Sequence, residues 1–303
     1  MTALAPPATI AFIGLGMMGR PMAARLAHAG YKLRLYDLSQ KAVSDFIGTH
    51  PSALATASPK AAAQGADALI TMLPDGKVVR QAVIEGRDAA REGLAAGALV
   101  VDMSSSNPVD TQKLARDLAA AGVALLDAPV SGGVKRAVDG SLSIMVGGAA
   151  ADLERARPVF AAMGKTITLC GAIGAGHTMK ALNNYLSAAG LVAMCEALVV
   201  GEAFGLDPGT MVDVFNNSTG KSNATEVKGR QFVVSRTFAA GFTTGLMAKD
   251  LRTAGEVAAH LALNVPGLKQ AVTYWADANQ RLGAAADHTE IFRYAEMLAE
   301  EDT

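Results

Sequence analysis

The sequence predicts an α/β fold in the first part of the chain and an all-α fold in the second. Short apolar runs alternate with helical patterns up to about residue 172, and a glycine-rich turn joins the first run to the first helix. After Gly176 the apolar residues recur at helical spacing only. We therefore predict a doubly wound sheet domain at 1–172 and an all-α domain at 173–303, joined by a long interdomain helix.

The strands of the first domain are predicted from short, uninterrupted apolar runs. Such runs are typical of a sheet that helices cover on both faces. They lie at residues 10–14, 32–36, 68–73, 98–101, 124–127, 143–146 and 166–170. In the second domain, helical spacing predicts helices at 177–204, 207–217, 244–262 and 266–281.

The turn after the first strand has the pattern Gly14-Leu15-Gly16-Met17-Met18-Gly19. Gly14 permits a tight turn, Gly16 lets the backbone approach a pyrophosphate, and Gly19 lets the following helix pack on the strand. Because a second strand follows within about 30 residues, the pattern predicts a Rossmann-type dinucleotide site. The N-terminus of the helix would stabilise the phosphate charge.

Asp37 follows the second strand directly and lies 18 residues after Gly19. A carboxylate here can accept hydrogen bonds from both hydroxyls of an adenosine ribose and would repel a 2′-phosphate. No arginine occurs in the following residues 38–41. NAD is therefore favoured over NADP. The alternative is that Asp37 is only a turn residue at the end of a strand.

Composition and charge exclude several classes of partner. The 303 residues carry a net charge of −1 without a block of like charge, so neither nucleic acid nor an anionic membrane surface is expected. Cys170 and Cys195 lack metal-ligand spacing and are predicted to be small core residues, and no metal site is predicted. The N-terminus lacks the pattern of a signal peptide, and no uninterrupted apolar run reaches about 18 residues. We expect a cytoplasmic protein whose partners are small molecules or copies of itself.

Three predicted strand ends carry unusual residues, at 72–75, 102–108 and 127–133. Ligands of open α/β sheets bind at the carboxyl ends of strands. Ser131-Gly132-Gly133 is the most suggestive segment, because two glycines after a serine can expose consecutive N–H groups to a carboxylate. A structural turn is the alternative.

Lys180 and Asn184 lie one helical turn apart in a stretch that is nearly free of charge. A helix this apolar is buried on most sides, where a lysine needs a partner or a lowered pKa. The pair could hold and deprotonate a hydroxyl group, and the domain boundary would place it beside an interdomain cleft. Exposure of both side chains to water is the alternative.

Two further segments of the second half allow two interpretations each. Lys249-Asp250 interrupts an apolar run and is either the solvated start of a polar face or a second cleft lysine. The polar stretch 216–226 is predicted to be a loop that enters a helix, and could equally be plain surface.

Six motifs occur in order across nearly the whole chain and together resemble the β-hydroxyacid dehydrogenase family, which includes 3-hydroxyisobutyrate dehydrogenase, tartronate semialdehyde reductase and L-threonate dehydrogenase. The motifs are Gly14-x-Gly16-x-x-Gly19, Met72-Leu73-Pro74, Asp102-x-Ser104-Ser105-x-x-Pro108, Asp127-Ala128-Pro129-Val130-Ser131-Gly132-Gly133, Gly174-x-Gly176-x-x-x-Lys180-x-x-Asn183-Asn184 and Leu246-Met247-x-Lys249-Asp250-Leu251. The resemblance implies a Rossmann-type domain, a helical domain that supports homodimers or homotetramers, and a nicotinamide-dependent hydroxyacid dehydrogenase.

The resemblance also implies roles for single residues. Lys180 matches the catalytic lysine of the family, and Asn184 matches its substrate-positioning asparagine. Ser131, Gly132 and Gly133 match the residues that hold the substrate carboxylate. Contacts to the cofactor are implied for Leu73, Pro74, Ser105 and Lys249. Lys180 would accept the hydroxyl proton while hydride leaves the same carbon for the nicotinamide ring.

Departures from the family pattern bear on the substrate. Members commonly have a tryptophan where this chain has Asn223, and a phenylalanine where it has His288. Both residues are candidate substrate contacts. We therefore expect a substrate whose side-chain end is larger or more polar than the methyl of hydroxyisobutyrate, and Lys221 could meet a second anionic group.

Two alternative functions remain at this point. Imine reductases resemble this family in fold, but commonly have an acidic or aromatic residue at the position of Lys180. A non-catalytic dinucleotide-binding module would lack the catalytic lysine, and this chain has both Lys180 and Asn184.

Overall fold

The computed structural model describes residues 2–301, which divide into two compact units, residues 2–180 and 181–301. The first unit contains a nine-stranded sheet flanked by helices, and the described part of the second is helical apart from an isolated bridge between Thr243 and Asp287. This confirms the predicted fold class. The division between the compact units falls after Lys180, and the first turn of the long helix is hydrogen-bonded within the first unit.

The strands follow the predicted apolar runs, with two short additions at β3 and β7. They are β1 (Thr9–Ile13), β2 (Lys32–Tyr36), β3 (Leu54–Ala55), β4 (Ala68–Thr71), β5 (Leu99–Asp102), β6 (Ala124–Asp127), β7 (Val130–Ser131), β8 (Leu142–Gly147) and β9 (Gly164–Gly171). The spatial order is β3-β2-β1-β4-β5-β6-β8-β7, and β9 pairs with β8. The first six strands in this order run parallel, and β8 is antiparallel to β6 and β7.

Helices alternate with these strands along the chain. They are α1 (Gly19–His28), α2 (Gln40–Thr49), α3 (Pro59–Ala63), α4 (Gly76–Arg80), α5 (Pro108–Ala119), α6 (Gly133–Asp139) and α7 (Ala150–Met163). Two apolar clusters form the core, one containing Phe12 and Phe160 and the other Ala11 and Val100. Phe12 and Ala11 are neighbours on β1, so their side chains point to opposite faces. The central sheet is therefore covered on both faces, as the uninterrupted apolar strands predict.

β9 differs from the other long strands because most of its side chains are accessible. Cys170 lies on β9 and is only partly buried, so the prediction that it is a core residue is wrong. β9 pairs with β8 alone, which explains the accessibility of its outer side. Cys195, in contrast, is fully buried in the core of the second unit.

The second unit is built from the remaining helices. They are α8 (Ala175–Phe204), which begins in the first unit, α9 (Pro208–Asn216), α10 (Thr244–His260), α11 (Pro266–Leu282) and α12 (Ile291–Glu301). A π-helical segment, Ala224–Val234, follows the polar stretch after α9. The core contains Leu191 and Leu198 of α8 together with the fully buried Trp275.

The polar stretch 216–226 was predicted to enter a helix, without bounds for that helix. The helical segment found there is Ala224–Val234, and its turns are π-helical. The helix α12 was not predicted from the sequence, although its amphipathic pattern is strong and Asp287 and Glu290 form a capping box just before it. A carboxylate followed three residues later by a glutamate is a helix-start signal that could have revealed α12.

Among residues 2–301, α8 is the single helix that is long and apolar enough to cross a membrane by length and composition. The core helices of many water-soluble proteins pass the same test. Leu191, Cys195 and Leu198 of α8 are fully buried within the protein, while Leu186, Val200 and Phe204 are 71%, 70% and 85% exposed.

Candidate active site

The glycine turn between β1 and α1 is tightly packed at its first and last glycine. Gly14 has φ of +100°, and a side chain there would collide with the carbonyl oxygen of Met72. At Gly19 a Cβ atom would collide with the carbonyl oxygen of Gly14. Only glycine fits both positions, because the turn lies against the end of β4 and α1 begins against the turn.

The middle glycine of the turn is open. A Cβ atom at Gly16 would have no neighbour within 4 Å, and the N-cap residue Met18 offers no side-chain acceptor to the first turn of α1. An open position beside an uncapped helix start suits an anion, because the first N–H groups of a helix need acceptors. The turn therefore fits the pyrophosphate of a dinucleotide.

Asp37 connects the end of β2 to the glycine turn. One carboxylate oxygen accepts from the N–H of Leu15 at 2.7 Å, and the other accepts from the N–H of Ser39 at 2.7 Å. Asp37 is thus a structural residue of the turn, which was the alternative interpretation. Each carboxylate oxygen can still accept another hydrogen bond, so the structural role is compatible with a contact to ribose hydroxyls.

The carboxyl ends of β4 and β5 are joined by buried hydrogen bonds. Asp102 accepts from the hydroxyls of Thr71 and Ser106 at 2.9 and 2.7 Å, and from the N–H of Ser104 at 3.0 Å. The hydroxyl oxygen of Ser104 in turn accepts from the N–H of Leu73 at 2.9 Å. This network fixes the loops that carry Leu73, Pro74 and Ser105, the predicted cofactor contacts.

The start of α8 is bound to the end of β6. Asp127 accepts from the N–H of Gly174 at 2.7 Å and from the N–H of His177 at 2.8 Å. A side chain at Gly176 would collide with the carbonyl oxygen of Met145, so glycine is required for this close approach. Lys180 lies one turn further along the same helix.

His177 extends this connection to the end of β5. Its ring is 2% exposed, and its Nε2 donates to the carbonyl oxygen of Ser104 at 3.0 Å, because a carbonyl can only accept. Its Nδ1 lies 2.8 Å from the hydroxyl of Thr111. The carboxylates of Asp102 and Asp127 lie 3.7 and 3.8 Å from its ring nitrogens. His177 was not identified from the sequence, although it precedes Lys180 by three residues in an apolar helix.

Ser131-Gly132-Gly133 forms the turn between β7 and α6. Gly132 and Gly133 have φ of +130° and +66°, and a side chain at Gly132 would collide with Arg136. Both glycines are exposed and Ser131 is partly buried. The segment is therefore a constrained glycine turn whose backbone is accessible to a ligand.

The two predicted catalytic residues share α8. Lys180 is partly buried, which argues against full exposure to water. Asn184 is 7% exposed, and its Nδ2 donates to the carboxylate of Asp250 at 2.5 Å. Asp250 is 4% exposed, and the side chain of Lys249 is 20% exposed. The pair Lys249-Asp250 is therefore not the solvated start of a polar face.

The residues proposed to determine the substrate lie in different environments. Asn223 is exposed at the start of the π-helical segment. His288 is 3% exposed, and its Nδ1 donates to the carbonyl oxygen of Phe242 at 3.0 Å. Lys221 forms an exposed ion pair with Glu226, with Nζ and Oε1 2.8 Å apart. His288 is thus held by the backbone, and the charge of Lys221 already has a partner.

Lys228 was not identified from the sequence. It lies in the segment Ala224–Val234 and donates to the hydroxyl of Ser187 on α8 at 3.2 Å. Burial lowers the pKa of Lys228 to about 8, although the charge of Asp287 acts in the opposite direction. Nothing in the local sequence distinguishes this lysine from an exposed one.

Comparison with known proteins supports the assignment of both parts of the chain. Residues 9–171 match the family described as the NAD binding domain of 6-phosphogluconate dehydrogenase. Residues 174–295 match the family described as NAD-binding of NADP-dependent 3-hydroxyisobutyrate dehydrogenase.

Individual relatives are similar over most of their length. NAD-dependent L-serine dehydrogenase of Pseudomonas aeruginosa is 40% identical over 263 residues, which are 85% of this chain and 87% of the relative. 2-(Hydroxymethyl)glutarate dehydrogenase of Eubacterium barkeri is 40% identical over 247 residues, which are 82% of this chain and 81% of the relative. The solved structure of Mycobacterium tuberculosis 3-hydroxyisobutyrate dehydrogenase with L-serine has a TM-score of 0.88 at 34% identity, covering 97% of this chain and 99% of that one.

These relatives are hydroxyacid dehydrogenases that act on CH–OH groups with a nicotinamide cofactor, and the glycine turn fits such a cofactor. The chain therefore belongs to the β-hydroxyacid dehydrogenase family and is a nicotinamide-dependent hydroxyacid oxidoreductase.

Proposed function

We propose that the protein interconverts a small 3-hydroxy acid and the matching semialdehyde with NAD, using Lys180 as the proton-transfer group. One observation carries the proposal. The helix that bears Lys180 is hydrogen-bonded through His177 to Ser104, which also binds the loop of Leu73. The start of the helix that bears the candidate proton carrier and the candidate cofactor loops thus share one buried network.

The proton transfer follows from the chemistry of the side chains. In the oxidation, the O–H bond of the substrate breaks and its proton passes to Nζ of Lys180, while the carbon–oxygen double bond forms. The C–H electron pair leaves as hydride, and a bound nicotinamide supplies the acceptor. In the reduction, protonated Lys180 returns the proton to the same oxygen.

Asn184 holds the reacting oxygen in this proposal. Its amide group has two hydrogens, and one is used by the carboxylate of Asp250. The second hydrogen can donate to the substrate hydroxyl oxygen. Because the bond to Asp250 fixes which end of the amide carries the hydrogens, the donor is oriented before the substrate binds.

The acid group of the substrate is assigned to Ser131, Gly132 and Gly133. Accessible N–H groups of a constrained glycine turn and a neighbouring hydroxyl suit a carboxylate. Among the relatives, one is an L-serine dehydrogenase and another is a 2-(hydroxymethyl)glutarate dehydrogenase. Both names describe substrates with a hydroxymethyl group next to the carbon that bears the carboxylate, which is the pattern proposed here.

NAD is proposed as the cofactor because Asp37 lies beside the glycine turn and carries a negative charge. Its oxygens accept from Leu15 and Ser39 and can also accept from ribose hydroxyls. A 2′-phosphate at the same place would meet this charge. We propose a cytoplasmic enzyme, in agreement with metabolic relatives of this kind.

A homodimer or homotetramer is the proposed assembly. Exposed apolar side chains lie along α8, with Leu186, Val200 and Phe204 at least 70% exposed. Apolar patches of this kind on a protein surface indicate association. Light scattering coupled to size exclusion measures the assembly directly, and a monomer at micromolar concentration would contradict the proposal.

The central test is replacement of Lys180 by methionine. NADH formation is followed with a panel containing L-serine, 3-hydroxyisobutyrate, glycerate, threonate, sulfonated analogues and 2-(hydroxymethyl)glutarate, and NADH binding is followed by fluorescence. Removing the proton acceptor should reduce kcat at least about 100-fold while the Kd for NADH stays unchanged. Turnover near the wild-type rate would show that Lys180 is not the proton carrier.

The same panel distinguishes the alternatives. An imine reductase would reduce cyclic imines with NADPH and ignore the hydroxy acids. A non-catalytic module would bind NADH and turn over none of these compounds. Lys180 and the oriented Asn184 favour the hydroxyacid reaction over both.

A further inference from the structure

The ammonium group of Lys228 is held in a partly buried site that lacks a negative partner. Its single hydrogen bond among residues 2–301 goes to the hydroxyl of Ser187, at 3.2 Å between Nζ and Oγ. No carboxylate of the described residues lies within 4.0 Å of this nitrogen. An ammonium has three hydrogens to donate, so the site leaves donor capacity unused.

The burial of this cation is costly in the absence of an anion. Burial lowers the pKa of Lys228 to about 8, and the more distant charge of Asp287 only partly opposes this shift. A neutral hydroxyl compensates a buried positive charge poorly. A bound anion would restore the missing interaction.

Ser187 adds a second donor beside the ammonium. Its oxygen accepts from Lys228, and within the described chain its O–H donates to no acceptor. An ammonium and a hydroxyl side by side match the two oxygens of a carboxylate.

The position of Ser187 relates this site to the proposed reaction. Ser187 follows Asn184 by three residues on α8, so the two side chains lie on the same face with their Cβ atoms about 5–6 Å apart. This spacing corresponds to about four carbon–carbon bonds of an extended chain, counted from the reacting carbon of a substrate.

Lys221 is the rival cation, because the sequence indicated that it could meet a second anionic group. In the structure its ammonium is exposed and 2.8 Å from the carboxylate of Glu226. Its charge therefore already has a negative partner, whereas the partly buried charge of Lys228 has none among the described residues.

We propose that Lys228 and Ser187 bind a second carboxylate on the substrate, which makes 3-hydroxy dicarboxylates with glutarate-like spacing the preferred substrate class. The proposal rests on the proposed function, because it places this group relative to Asn184. It assigns the specificity for the side-chain end to a residue that the family pattern does not indicate.

The test compares one substrate that has two carboxylates with two substrates that have only one. They are 2-(hydroxymethyl)glutarate, its analogue in which the distal carboxylate is replaced by a carboxamide, and 3-hydroxyisobutyrate. Wild-type protein, Lys228→Met and Lys221→Met are assayed for kcat/KM with NAD. Methionine keeps most of the length of the lysine stem and removes only the charge.

We expect wild type to prefer the dicarboxylate over the amide. Lys228→Met should lose at least about 30-fold in kcat/KM for the dicarboxylate and change less than about threefold for the other two substrates. Lys221→Met should have the same kcat/KM as wild type for all three substrates. Equal losses on all three substrates, no loss on any, or a selective loss in Lys221→Met would each overturn the proposal.

A binding measurement separates this proposal from the proposed reaction. Calorimetric titration of the protein–NADH complex with the dicarboxylate measures the affinity of the anion site without turnover. Binding that is weakened by Lys228→Met in a protein that oxidises none of the compounds would refute the reaction and support the anion site. Oxidation of 3-hydroxyisobutyrate without preferential binding of the dicarboxylate would refute the anion site and support the reaction.

Discussion

The side-chain amide of Asn184 donates a 2.5 Å hydrogen bond to the carboxylate of Asp250, and both residues are buried. A carboxylate accepts only, so this bond fixes which end of the amide carries the hydrogens. Asp250 lies 66 residues away in the sequence, on α10. Asp250 therefore acts as a positioning residue for Asn184.

Replacing Asp250 by leucine should reduce kcat more than it changes the Kd for NADH. The amide of Asn184 loses its fixed orientation and leaves a buried donor without a partner, which costs about 1.5–3 kcal/mol for a bond to a charged group. We expect a loss of about 10- to 100-fold in kcat/KM from steady-state assays.

Asp250→Asn is the conservative variant that tests whether the loss of the acceptor for Asn184 causes the effect. Its amide oxygen can still accept from Asn184, so its activity should lie between those of wild type and the leucine variant. If Asp250→Asn and Asp250→Leu were equally active, orientation of Asn184 by Asp250 would not contribute to the reaction.

His177→Leu should impair catalysis by loosening the start of α8. The ring donates to the carbonyl of Ser104 and contacts the hydroxyl of Thr111, and both bonds disappear in leucine. Small displacements of a reacting group can cost about 100-fold in rate. We expect a reduction of at least about 10-fold in kcat.

A glutamine at position 177 can donate to the same carbonyl and accept from the same hydroxyl. His177→Gln should therefore recover most of the kcat that His177→Leu loses. Melting temperatures are measured for both variants. A similar loss of kcat in both, at equal thermal stability, would contradict the positioning role.

Asp37→Ala should narrow the preference for NADH over NADPH. The variant removes the charge that opposes a 2′-phosphate, and it also removes the acceptor of the Leu15 and Ser39 N–H groups. The Kd for NADH should rise, and the ratio of kcat/KM values should move toward NADPH. A wild-type protein that prefers NADPH would contradict the assignment of Asp37.

Asp67→Ala is the matched control for this variant. Asp67 also accepts a backbone N–H, that of Thr9 at 2.8 Å, but at the amino end of β1. Its loss should leave the ratio between the two cofactors unchanged.

Lys228→Met should stabilise the protein near neutral pH in the absence of substrate. The pKa of Lys228 falls from 10.5 to about 8 on folding, chiefly by burial. Below pH 8 the folded protein bears the full cost of the charge, about 3 kcal/mol. Between about pH 8 and 10.5 the folded state has released this proton while the unfolded state retains it, so the stability of wild type rises relative to the variant.

Urea denaturation at pH 7 and pH 10 checks this prediction. The difference in unfolding free energy between Lys228→Met and wild type should shrink as the pH rises. Lys221→Met, which removes an exposed and paired charge, should give a difference that is small at both pH values. A pH-independent difference for Lys228→Met would contradict the burial of a charged lysine.

Local pattern predicted most of the fold. The runs that became β1, β2 and β4 are short and uninterrupted, and the helices α8 to α11 have clear helical spacing. A helix was predicted to follow the polar stretch 216–226, but the bounds and the π-helical turns of Ala224–Val234 were not, because its geometry departs from that spacing. The core position predicted for Cys170 was wrong, because a local sequence does not reveal that its strand is at the edge of a sheet.

The candidate site was predicted where its residues are close in sequence. The glycine turn and the pair Lys180 and Asn184 depend on spacings of a few residues. His177 could have been noticed as a polar residue one turn before Lys180, but only its partners reveal what it binds. The local sequence does not distinguish Lys228 from Lys221. In the structure Lys228 is more buried, and Lys221 is exposed and paired with Glu226.

The sequence by itself determined the fold class, the dinucleotide turn and the helical turn that carries Lys180 and Asn184, because periodicity and short spacings are local properties of a chain. Only the tertiary structure decided which residues orient and complete that pair. Asp250 reaches Asn184 across 66 residues, His177 reaches Ser104 across 73, and Lys228 reaches Ser187 across 41. Burial turns each of these contacts into a strong constraint, because a polar group that is removed from water depends on the partner that the fold provides.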